Sequence, residues 1–84
     1  MAKKAVQNRP LYEIAREIRK DWKKPYFGAV PYLTAMMGLN SINDTYGWDS
    51  ADSIVRYFLG NASTWRGDTA RVIKKELKAM VGLK

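Results

Sequence analysis

Two triplets of cations have the spacing best suited to chemistry in this sequence: Arg16, Lys20 and Lys23 toward its beginning, and Arg71, Lys75 and Lys78 near its end. Each follows i, i+4, i+7, which on a helix lines three positive charges along one face. Such a row can meet successive phosphates of a nucleic acid and release condensed counterions, without reading base sequence. The competing reading is plainer, since amphipathic helices turn charged faces to water for solubility alone.

The distribution of charge favours the first reading. The net charge is +7 over 84 residues, with eight cations against Glu13, Glu17 and Asp21 in residues 1–24, a balance of +5. Residues 66–84 carry +4, whereas residues 25–65 hold only Arg56 against Asp44, Asp49 and Asp52, a balance of −2. Two basic ends favour polyanions and leave the mildly acidic middle for another kind of contact.

That middle contains Tyr46-Gly47-Trp48, an aromatic pair at a turn. Trp and Tyr dominate protein-binding hot spots, so Tyr46 and Trp48 are the candidate residues for a protein partner. Trp48 also stands directly before a helix cap, where an apolar residue commonly staples itself to the first turn. On that reading Trp48 is tucked against the helix and Tyr46 is the exposed contact.

Three weaker signals are also present. The run Trp22-Lys23-Lys24-Pro25-Tyr26-Phe27 interleaves rings with cations in the manner of single-strand binding surfaces, although so short a chain needs its rings in the core. The third predicted helix, the Gly60–Ser63 connection and the last helix invite comparison with a helix-turn-helix, in which Thr64, Arg66, Thr69 and Arg71 would face bases or phosphates. Arg56 and Arg66 fall where such motifs want small or apolar residues. Asp44, Asp49 and Asp52 lack EF-hand spacing and its terminal Glu, and helix capping accounts for Asp49 and Asp52.

Absences narrow the field further. The chain has no Cys and no His, which removes disulfides, thiolate nucleophiles, the usual zinc sites and the commonest general base. No phosphate-cradling glycine loop is present. The expectation is a non-enzymatic binding protein with no cofactor and no metal. No apolar run approaches the roughly 18 residues of a membrane span, and no signal-peptide core is visible, so a cytoplasmic location without membrane contact is expected.

The elements that must position these residues are helical. Pro10 suits a first helical turn, and Leu11, Ile14, Ala15, Ile18 and Trp22 recur on one face, predicting a helix over 10–23 that ends before Pro25. Pro31 opens a short second helix through Tyr32, Leu33, Met36, Met37 and Leu39, with Gly38 as its stop. Asn40–Trp48 is dense in turn formers. A third helix starts at Asp49 or Ser50, buries Ala51, Ile54, Val55, Phe58 and Leu59, and stops at Gly60-Asn61.

Two caps compete for the last helix, Ser63 or Thr64 early and Asp68 late. The sequence favours 64–81 with an irregularity at Gly67 and a buried stripe of Ala70, Ile73, Leu77, Met80 and Val81. No segment alternates in the strand period. With 46% hydrophobic residues the chain has enough apolar material to fold. The expected architecture is all-α, a compact bundle of three to four short helices in a single domain over 10–84, preceded by a flexible basic tail over 1–9.

The run GWDSADSIVRYFLGNASTWRGDTARVIKKEL, Gly47–Leu77, resembles small uncharacterised proteins encoded by tailed bacteriophages, particularly those of actinobacterial hosts. The resemblance implies a small early or accessory protein acting in the host cytoplasm; it implies no activity and transfers no functional residue.

The reading that leads is therefore binding of nucleic acid through phosphate contacts from the two basic helix faces. The alternative is a host-protein-binding inhibitor or anti-defence factor acting through the aromatic and acidic middle. A homodimer is compatible with either, since pairing would relieve a small domain of apolar surface.

Overall fold

The first helix, α1 (Leu11–Asp21), forms where the periodicity places it but stops two residues short of the expected 10–23, and Leu11, Ile14, Ala15 and Ile18 face the core. Pro10 stands just ahead of it as the N-cap, with an extended ψ of 141° and no side chain able to cap. The exposed amides of the first turn are satisfied from elsewhere: Leu11 N–H donates to Asn40 O and Tyr12 N–H to Leu39 O, both at 2.9 Å. The start of α1 is thereby tied to the segment that follows the second helix, which meets the need of any helix N-terminus for outside acceptors. The computed structural model describes residues 9–82. The expected tail lies outside those residues except for Arg9.

After α1 the chain makes a 3-10 turn over Phe27–Ala29 and enters α2 (Val30–Met36), with Pro31 in its first turn. Ala29, Leu33, Ala35 and Met36 are buried. The helix ends in a tight turn in which Gly38 N–H donates to Ala35 O at 3.0 Å.

The turn-rich stretch is held by its own side chains. Asp44 Oδ2 accepts from the amides of Asn40 at 3.0 Å and Ser41 at 2.9 Å. It then forms a small antiparallel hairpin, β1 (Thr45–Tyr46) and β2 (Asp49–Ser50), in register Thr45 to Ser50 and Tyr46 to Asp49. Gly47 turns it with φ 63°, a left-handed conformation that glycine adopts freely. Strands of two residues carry no alternation, so the expectation of no strand is corrected by a feature too short to leave a periodic trace.

Helix α3 (Ala51–Gly60) is capped by Ser50, whose Oγ accepts from Ser53 N–H at 3.1 Å. Ala51, Ile54, Val55 and Phe58 are buried, and Leu59 is half-buried. The last helix, α4 (Asp68–Met80), starts at the later of the two competing positions. Gly67 has φ 116° and ψ −179°, which no helix continues through, and it divides the predicted 64–81 helix. Trp65, expected on the helix, sits in the preceding turn with its N–H on Ala62 O at 3.1 Å and is still 2% exposed.

Across the described residues the protein is a small all-α bundle of four α-helices with that hairpin appended. One apolar core runs through it, centred on Trp22, Phe58 and Trp65. The two indoles stack with centroids 5.8 Å apart and 14° between planes, and Phe58 meets both edge-on at 6.3 and 6.4 Å. No polar or charged side chain is buried among the described residues.

Candidate nucleic-acid interface

Because the α1 stripe is spent on the core, its opposite face must hold the charges: Arg16 and Lys20 are exposed there, whereas Lys23, expected on the same helical row, lies exposed in the bend after the helix ends at Asp21. They surround a shallow depression of about 450 Å³ together with Arg19 and Met37. Arg16 lies over the Tyr12 ring, its guanidinium carbon 5.3 Å from the centroid, which steadies the charge without neutralising it. None of the four cations pairs with a carboxylate among the described residues. Arg19 was missed by the sequence reading because it falls off the i, i+4, i+7 row. It is nonetheless three residues from Arg16, the other neighbour spacing on a helix, and lines the same depression as Lys23.

The second triplet is exposed on α4 but gathers differently. Arg71 pairs with Asp68 at 3.2 Å, one turn back on its own helix. It lines a depression of about 330 Å³ with Arg66, Lys74, Gly67, Ala70 and Trp65, whereas Lys75 and Lys78 border none of the depressions described. Lys74, also unmarked by the sequence pattern, donates from Nζ to Trp65 O at 2.6 Å and lies 5.8 Å from that ring's centroid. Desolvation lowers its pKa from the ordinary lysine value, and the positive charges of Lys78 and Arg66 push the same way.

The two cation rows are not merged into one surface. Between α1 and α4 runs a seam in which Arg9 reaches Glu76 of α4 through two bonds, at 3.0 and 2.8 Å, and also bonds Glu17 of α1. Glu13 adds a fourth contact at 3.8 Å. The bidentate bond to Glu76 raises the Arg9 pKa above its already high ordinary value, with Glu17 contributing. Arg9, expected in the tail, is thus a clasp between two helices, and Arg71 and the α1 cations line separate depressions.

The helix-turn-helix comparison does not survive. The whole of Asn61–Gly67 separates α3 from α4, longer than the three- or four-residue turn of that motif. Thr64 and Arg66 lie in that connection rather than on a recognition helix, while Thr69 and Arg71 fall in the first turn of α4.

At the hairpin tip both rings are exposed, as expected for Tyr46 but not for Trp48. Trp48 is fully exposed (103%) instead of stapled to α3, because it occupies the turn and points away from the helix that begins at Ala51. Tyr46 is 49% exposed and leans toward Gly38, where an added Cβ would lie 3.7 Å from Tyr46 Cε1. The rings of the Trp22–Phe27 run also separate: Trp22 joins the core, but Tyr26 and Phe27 stay outside.

No helix among the described residues is long and apolar enough to cross a membrane, and no group of three or more potential metal ligands gathers there. No protein-family model, curated protein or solved structure matches the chain.

Proposed function

We propose that this chain is a non-enzymatic nucleic-acid-binding domain whose principal contact is the exposed face of α1. One observation carries the reading: Arg16, Arg19, Lys20 and Lys23 surround a single depression and have no carboxylate partner among the described residues. Cations held together without internal neutralisation keep their full attraction for an external polyanion. Phosphates seated on them release counterions, which supplies affinity without base readout. Arg71, Lys75 and Lys78 form a separate, lesser contact, since Arg71 already shares its charge with Asp68.

Fluorescence anisotropy with labelled oligonucleotides over a salt series tests this. Four phosphate contacts give a slope of log K on log salt of about −3 to −4. The double variant Lys20→Glu/Lys23→Glu flattens that slope and weakens binding while the helical circular dichroism is kept; the triple variant Arg71→Glu/Lys75→Glu/Lys78→Glu does less. Absence of binding at low salt removes the proposal.

A second reading has its own support. Full exposure of Trp48 on a turn pinned by Asp44 and Gly47 suits insertion into a pocket of a protein partner, the chemistry expected of a host-protein inhibitor. A complex of that kind tolerates salt and is lost in Trp48→Ala, whereas nucleic-acid binding through α1 is untouched by that change.

A further inference from the structure

An exposed phenylalanine in so small a protein needs an explanation, because every large apolar side chain is wanted inside. Phe27 is 79% exposed. Its position is built rather than left over. The 3-10 turn is fixed from beneath by Ala29, which is fully buried and whose N–H donates to Tyr26 O at 2.8 Å.

Tyr26 flanks Phe27 with centroids 4.8 Å apart and planes inclined at 54°. Tyr26 in turn lies over Gly28, where a Cβ would come within 2.6 Å of Tyr26 Cε2 and 2.9 Å of Asn61 Oδ1. Glycine at 28 therefore makes room for the ring that props Phe27 outward.

The cations stand beside it in the chain. Lys23 and Lys24 are exposed and make no ion pair among the described residues. Lys23 also lines the α1 depression. Four residues of chain reach at most about 14 Å, so a strand with a phosphate on Lys23 has a neighbouring base within range of the Phe27 ring.

Resting on the phosphate-binding reading above, we infer that the ligand is single-stranded nucleic acid, with a base stacked on Phe27 and its backbone on Arg16, Lys20 and Lys23. A duplex buries its base faces against one another, whereas a single strand offers a π-face at every nucleotide, whatever the base. Tyr26 beside the ring narrows the space it can sample, which lowers the ordering cost of stacking. A lipid surface fits less well: it needs a helix with a free apolar face, and that of α1 is committed to the core.

Anisotropy titrations of a labelled oligothymidylate and of a mixed-sequence duplex of the same length, at one salt concentration, decide it. The wild type is expected to bind the single strand more tightly. Phe27→Ala weakens single-strand binding about five- to a hundredfold, leaves its salt slope and the weaker duplex binding unchanged, and is rescued by Phe27→Trp. Lys20→Glu/Lys23→Glu weakens both ligands.

If the duplex binds as tightly as the single strand, or if Phe27→Ala changes neither or both alike, the inference falls and phosphate binding by α1 stands. If neither oligonucleotide binds, both proposals fall. Phe27-dependent binding to phosphatidylserine vesicles with no oligonucleotide effect would assign the ring to a membrane surface and overturn the inference.

Discussion

The indole N–H of Trp65 donates to Asp21 Oδ2 at 2.8 Å, so a buried ring in the approach to α4 is tied to the last residue of α1. The donor sits on a side chain that is 2% exposed, while its acceptor is on the surface. Removing Asp21 therefore threatens to leave a polar group with no partner inside the core. Asp21→Ala is expected to destabilise by about 1–3 kcal/mol, the cost of an orphaned buried donor. Asp21→Asn keeps an acceptor oxygen and loses less. Urea unfolding of the two variants makes the comparison, and equal midpoints for Asp21→Ala and wild type would refute the bond's role.

Two glycines make opposite predictions. Gly67 holds φ 116°, a region costly for any residue with a Cβ, so Gly67→Ala loses about 1–3 kcal/mol. Gly60 ends α3 without a left-handed φ and with open space where a Cβ would go, so Gly60→Ala gains about 0.4–1 kcal/mol by stiffening the unfolded chain. Thermal unfolding separates them, with roughly 4–8 °C expected for each kcal/mol in a domain of this size.

Lys74 gives a pH dependence whose sign follows from its surroundings. Desolvation, then the charges of Lys78 and Arg66, hold its pKa below the ordinary 10.5. Between the lowered value and 10.5 the folded protein has released a proton that the unfolded chain still binds, so this residue's contribution to stability rises with pH across that window. Nitrogen-detected NMR of the Nζ reads the titration directly. Lys78→Gln moves it back upward, and a wild-type midpoint at or above 10.5 contradicts the assignment.

The three tryptophans should report separately. Trp22 and Trp65 are stacked in the core, and Trp48 is fully exposed. Acrylamide is expected to quench one readily accessible component, and Trp48→Phe abolishes it while changing stability by less than about 0.5 kcal/mol. Persistence of the quenchable component in that variant would place another indole at the surface.

What could be read from the sequence followed helical period. The α1 stripe and most of the α3 and α4 stripes are buried as their spacing required, because i, i+3, i+4 positions can meet a core in only one way. The exposed triplets followed as the complement of those stripes.

Whatever depended on a single turn was harder to see. The choice between Thr64 and Asp68 rested on the backbone of Gly67, whose φ no side-chain pattern reveals. Trp48 read as a staple because apolar residues before caps commonly are, but a hairpin too short for a strand signature placed it at a tip. Arg9 as a clasp required partners separated by 67 residues to meet, which local spacing cannot show.

A core without a buried polar or charged side chain among the described residues has an evolutionary corollary. Apolar interiors accept volume-conserving exchanges one after another, and here the Trp65–Asp21 hydrogen bond is the polar tie to the core that has to be inherited as a pair. Apart from Trp65, the interior of this bundle is thus free to drift until little identity remains. Lineage would be written instead in the few surface positions with a geometric duty: Gly28 beneath Tyr26, Asp44 across its turn, Ser50 at its cap and Gly67 before α4.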